Sequence, residues 1–115
     1  MTQLIYKIAS RPLWQAAEAS GVFEGAPIDL ADGYIHFSTA AQAVETAAKH
    51  FAGQDDLLLV AVETDRLGDA LIYEVSRGGE LFPHLYASLP LAAVRWVKPL
   101  PLGKDGKHDF PEMTA

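Results

Sequence analysis

The sequence predicts a single α+β domain with a mixed or antiparallel sheet, and three observations predict it. Apolar residues recur at helical spacing twice in the first half, each time between a helix start signal and a stop signal. In the second half, apolar runs of strand length alternate with turns bearing Gly, Pro and Asp. The chain has 115 residues, 50% of them hydrophobic, enough for one core and too few for two ordinary ones.

Leu4 to Ile8 (LIYKI) is short and rich in strand formers, a first strand. Ser10-Arg11-Pro12 reads as a helix start, capped at Ser10 or Arg11 with proline in the first turn. Leu13, Ala16 and Ala17 fall at i, i+3 and i+4 and make its apolar face, and Gly21 stops it. From Gly21 to Asp32 the chain turns to Gly, Pro and Asp, which signals a loop.

Tyr34 to Ser38 (YIHFS) is a short strand with a histidine inside it. Extended geometry sends Ile35 and Phe37 to one face and Tyr34, His36 and Ser38 to the other, a core face and a polar face. Thr39 and Gln42 then have the spacing of a capping box. Ala40, Val44, Ala47, Ala48 and Phe51 mark an amphipathic helix ending near Gly53. The histidine strand thus runs into a helix N-terminus, where free N–H groups suit a polar or anionic ligand.

Leu57 to Thr64 (LLLVAVET) is a near-continuous apolar run, as expected of a central strand covered on both faces. Residues 65–69 form a turn. Leu71 to Ser76 (LIYEVS) alternates and sets Glu74 in a strand, with Arg77 as its candidate neighbour; Gly78-Gly79 breaks it. Phe82 to Tyr86 (FPHLY) is an aromatic, proline-constrained segment unsuited to a regular helix, and Ala93 to Lys98 (AVRWVK) is a late strand. The domain is expected to span 1–100, followed by an irregular or frayed tail over 101–115.

Composition removes several function classes. A net charge of −6 and scattered basic residues argue against a nucleic-acid surface, which needs clustered Lys and Arg. With no cysteine there is no disulfide framework, thiolate metal site or cysteine nucleophile. The start of the sequence lacks a charged-then-apolar leader, and no apolar run approaches the ~20 residues of a spanning helix. The expectation is a soluble, cytoplasmic protein without membrane or nucleic-acid partners. No Walker loop, dinucleotide glycine fingerprint, nucleophile elbow or HExxH spacing occurs, and no metal site is expected.

Chemistry then falls to histidines, carboxylates and hydroxyls. His36 is either a hydrogen-bonded structural histidine or an acid/base or ligand-contacting residue, with Tyr34 and Ser38 on its face. His84, with Tyr86 two residues on, is either an aromatic plug over the core or part of the same site. Glu74 is either solvent-facing or functional, since strands deplete Glu and burying its charge needs a partner. His50 is most simply a cation near a helix C-terminus.

The IYKI strand, Trp14, the segment DGYIHFST followed by Gln42, and GELFPHLYASLPL together resemble the small bacterial family called domain of unknown function 952. The resemblance covers roughly Leu4 to Leu100. The pattern G-[FY]-I-H-x-S falls on Gly33 to Ser38, and F-P-H-[IL]-Y on Phe82 to Tyr86; Ala87-Ser88-Leu89-Pro90 departs from the family's usual Gly-Pro-Leu. The family's fold is similar to the ADP-ribosylation fold of mono-ADP-ribosyl transferases and poly-ADP-ribose polymerases, which implies a split sheet, two main helices and an NAD-binding cleft. By that resemblance His36, Glu74 and His84 are the candidate catalytic residues, and Tyr34, Ser38 and Tyr86 the candidate cofactor-binding residues. NAD or a related nucleotide is the implied ligand, and ADP-ribosyl transfer or NAD cleavage the implied reaction. The alternative is a non-catalytic module that binds a small ligand or a protein.

Overall fold

The computed structural model describes residues 3–115 apart from the side chain of Arg77, so the proposed neighbourhood of Arg77 and Glu74 lies outside the described residues. The domain is α+β, and all its strand pairs are antiparallel.

The first strand, β1 (Leu4–Ser10), leads into helix α1 (Arg11–Ser20). Ser10 caps that helix by accepting a hydrogen bond from the Leu13 amide, and Gly21 ends it at φ 91°. The buried face differs from the expected one: Trp14 and Ala17 are buried, Leu13 partly, and Ala16 is exposed. The reason is the indole, which packs on Phe23 at 5.4 Å and turns the helix toward itself. Trp14 Nε1 is buried without a hydrogen-bond partner among the described residues, a cost of about 1–3 kcal/mol that the packing must offset.

The expected loop over 21–32 is ordered instead. It contains strand β2 (Val22–Phe23) and helix α2 (Pro27–Asp32). Proline in the first turn presets φ, and the Asp29 carboxylate accepts from the Ala26 amide at 2.7 Å, satisfying a donor at the helix start. Gly33 ends α2 at φ 86°, where a side chain is disfavoured, and reverses the chain into the histidine strand.

That strand, β3 (Ile35–His36), is shorter than expected, because the chain changes partners after two residues. Ser38 pairs instead with Tyr6 of β1, through Tyr6 N to Ser38 O (2.7 Å) and Ser38 N to Tyr6 O (2.9 Å). Helix α3 (Ala40–His50) follows, and Gln42 Oε1 accepts from the Thr39 amide at 3.1 Å, as the capping box requires. Its buried residues are Gln42, Ala43 and Ala47, whereas Val44 and Ala48 face solvent. Alanines form the contact because α3 lies against β1, where short side chains allow close approach.

Strand β4 (Leu57–Glu63) is central to the sheet β1-β4-β8, with β8 at Val94–Leu100. Leu58, Val60 and Val62 enter one core with Ile5, Trp14, Phe23 and Ile35. Leu57, Leu59 and Ala61 enter the other, beneath Ala43 and Ala47. Period-2 geometry thus explains why the run is apolar throughout. The expected turn after β4 is a pair of 3-10 turns.

Strands β5 (Leu71–Val75) and β6 (Leu81–Leu85) complete a second three-stranded sheet in the order β3-β6-β5. Phe82 to Leu85 of the FPHLY segment therefore lie in the middle strand of a sheet, with Pro83 among them, and the Pro83 carbonyl accepts from Phe37 N at 3.0 Å. A two-stranded ribbon pairs β2 with β7 (Leu89–Pro90). Beyond β8 the chain is irregular but docked rather than frayed: Phe110 and Met113 pack on the second core, and the Tyr6 hydroxyl bonds both the carbonyl and the amide of Thr114. No helix among the described residues is long and apolar enough to cross a membrane.

Candidate functional site

The antiparallel register of β3 and β6 sets His36 directly opposite His84. Directly opposed side chains on one sheet face are close neighbours, and the two rings lie 5.5 Å apart, edge to face. Tyr34 covers both: its ring stacks on His84 at 4.1 Å and lies 4.6 Å from His36.

Each histidine meets a carboxylate. His36 Nδ1 lies 2.6 Å from Asp29 Oδ1, and the same oxygen accepts from the His36 amide at 3.1 Å. His84 Nδ1 lies 2.8 Å from Glu74 Oε1, which also accepts from the Tyr86 hydroxyl at 2.6 Å. Such a contact fixes ring orientation and tautomer. The remaining ring nitrogen of His36 is 2.9 Å from Asp32 Oδ2 at the end of α2.

Behind Asp29 stands Lys7, from the middle of β1. Its ammonium bonds Asp29 Oδ1 at 3.0 Å and Oδ2 at 2.9 Å, and the two side chains are 6% and 1% exposed. Burial alone would raise the Asp29 pKa, but the His36 hydrogen bond, the Lys7 charge and the Ala26 amide together hold it down at about 2. Burial pushes the Lys7 ammonium below its ordinary value, against the pull of Asp29. Asp29 is therefore a carboxylate at neutral pH, and His36 Nδ1 is the donor between them.

On the other side, hydrogen bonds from Tyr86 and then His84 hold Glu74 below the usual carboxylate range. The same Glu74 bond pushes the Tyr86 phenol up to about 12. Burial, followed by the charges of Asp32, Glu74 and Asp29, raises Tyr34.

These groups border a cavity of about 580 Å³ between the two three-stranded sheets and α3. Tyr34, His36, Ser38 and His84 line it, as does Lys7. Its size suits a small molecule, and its walls combine apolar side chains with a few convergent polar groups. Glu74 and Tyr86 are not among its lining residues; they touch it through His84 and Tyr34. The Ser38 hydroxyl, 4% exposed as a residue, is 2.8 Å from Thr46 Oγ1 rather than turned to either histidine. Among the described residues no three His, Asp or Glu are grouped to hold a metal ion.

Residues 8–97 match the model of the family described as protein of unknown function, DUF952. The chain belongs to the DUF952 family. It is similar to protein CC0527 from Caulobacter crescentus, whose crystal structure has a TM-score of 0.89 at 54% identity, over 92% of this chain and 93% of that one. The solution NMR structure of CC0527 has a TM-score of 0.82 at 55% identity, over 90% of each chain. No curated protein matches this chain.

In this DUF952 domain, sequence reasoning finds the two histidines and misses what holds one of them. Lys7 is a single charge in an otherwise apolar buried strand, the same kind of signal that marks His36. Asp29 is hidden in a stretch whose Gly and Pro content reads as loop, and Asp32 with it. His50 ends α3, as expected, but also lines the cavity. His108 lies elsewhere, 2.8 Å from the Gln54 carbonyl oxygen.

Proposed function

We propose that the cavity binds NAD or a related nucleotide and that His36 and His84 act on it in ADP-ribosyl transfer or NAD cleavage. One observation carries the reading: two histidines opposed on adjacent strands, each with Nδ1 on a carboxylate, line one cavity under a shared tyrosine. Carboxylate-backed histidines are suited to hold sugar hydroxyls and to move protons. Tyr34 offers an aromatic face for a flat ring. The likeness to an ADP-ribosylation fold belongs to this proposal, supported by a sheet split beside the cavity. Within it, Glu74 and Tyr86 serve as positioning residues for His84, and Ser38 contributes to the wall.

The test is a titration with NAD followed through the His36 and His84 ring protons, together with an assay for nicotinamide release. Shifts of both rings and release lost in His36→Ala and His84→Ala are expected. No ring shift at millimolar NAD would overturn the reading. The second reading, a module that binds a small ligand or protein without turnover, is favoured by the engagement of both His36 nitrogens with carboxylates. It predicts ring shifts without release.

A further inference from the structure

The geometry points to an oxyanion subsite at His36 Nε2, occupied here by the protein's own Asp32: the ligand carries a phosphate or carboxylate group that displaces this side chain. The inference rests on the reading that the cavity binds a ligand and adds the chemistry of one of its groups.

The two carboxylates on His36 are not equivalent. Asp29 is buried and fully engaged: it is 1% exposed, and its oxygens accept from Lys7, the Ala26 amide and the His36 amide as well as from the ring. Asp32 is the last residue of a six-residue helix, its side chain is 41% exposed, and its 2.9 Å contact to Nε2 is open to solvent. Exposed pairs of this kind contribute little and exchange readily.

A neutral imidazole has one N–H, and Asp29 takes it. The second short contact sets a carboxylate oxygen of Asp32 within hydrogen-bond reach of Nε2, so this nitrogen faces an oxyanion group in the arrangement seen. A ligand reaching Nε2 must replace Asp32. An oxyanion on the ligand repeats the contact that Asp32 makes to Nε2, whereas a neutral acceptor replaces it with a weaker hydrogen bond.

The rest of the wall agrees. His36, His50, His84 and Lys7 line the cavity, and among the described residues Asp32 is the one carboxylate in its lining. Lys7 is already matched by Asp29, which leaves His36 Nε2 to meet the charged group of a ligand.

The experiment titrates the full chain, wild type and Asp32→Asn, with inorganic phosphate, acetate and NAD at fixed pH, following ring ¹⁵N and ¹H signals of His36 and His84. Phosphate or acetate should move His36, and Asp32→Asn should bind the effective anion about three- to fivefold more tightly, because a competing charge is gone. Which anion acts distinguishes a phosphate from a carboxylate ligand. Amide signals outside α2 report that the variant keeps its fold. If NAD moves both rings while neither anion moves His36, or if Asp32→Asn weakens anion binding, the oxyanion subsite is wrong and the NAD reading stands. Anion binding without any response to NAD supports the subsite and overturns NAD as ligand. Silence toward all three overturns both.

Discussion

Lys7 and Asp29, 22 residues apart in sequence, form a two-pronged ion pair that is all but sealed from solvent. Removing one member of such a pair leaves a buried charge without its counterpart, which costs about 3–5 kcal/mol. Lys7→Met should therefore lower the urea midpoint by a corresponding amount with little change in slope. Ring ¹⁵N signals should also show His36 losing its fixed orientation. A loss under 1 kcal/mol would mean that the pair is not the support described.

The Asp29 carboxylate also sets a pH dependence. Its folded pKa, about 2, lies below the ordinary value of 3.8. A depressed carboxylate contributes stability that is present in full above the unfolded value and lost as pH falls through the folded one. The contribution is about 2 kcal/mol. Urea melts should show this loss between about pH 5 and pH 2, and Asp29→Asn should lack that part of the slope while being less stable at neutral pH.

Tyr86 and Glu74 form the corresponding pair on the second histidine. The Tyr86 phenol, raised to about 12 chiefly by its hydrogen bond to Glu74, should fall toward its ordinary value of 10.0 in Glu74→Gln. The ring ¹³Cζ signal of Tyr86 followed from neutral to alkaline pH checks this. An unmoved midpoint would show that the bond does not persist in solution.

Two glycines near Asp29 differ in a measurable way. Gly33→Ala meets open space at φ 86° and should cost about 1 kcal/mol from backbone strain alone. At Gly25, φ is 127° and an added Cβ would lie 2.9 Å from Asp29 Cβ, so Gly25→Ala should cost about 2–3 kcal/mol and disturb the His36 ring as well. Thermal melts with the His36 signal as a second readout separate the two.

The sequence makes some of this visible and hides the rest for physical reasons. LLLVAVET reads as a strand covered on both faces, because its length and continuous apolar character fit a doubly covered strand. His36 and His84 stand out because an apolar strand rarely carries a titratable side chain. Their opposition does not follow from local pattern, since the register of β3 and β6 links residues 48 positions apart. The faces of α1 and α3 are misread where side-chain size, not spacing, sets the contact: Trp14 rotates one helix, and Ala43 and Ala47 bring the other close. The short helix holding Asp29 is invisible to periodicity, because six residues are too few to establish a period. Its Asp29 is also held by Lys7 of β1, a tertiary contact.

The reciprocal pair of hydrogen bonds between Tyr6 and Ser38 has a consequence for how the domain opens. One sheet holds β1 through the long ladder with β4, and the other holds β3 through a two-residue ladder with β6. The Tyr6–Ser38 bridge lies on the border between these unequal units, so any partial unfolding that parts them breaks both bonds in one event. Native-state hydrogen exchange should then show the Tyr6 and Ser38 amides exchanging with a common opening free energy, below that of Leu59 and Val60 in β4. A ligand that spans the cavity touches both units, and it should raise that shared value while leaving the β4 amides unchanged.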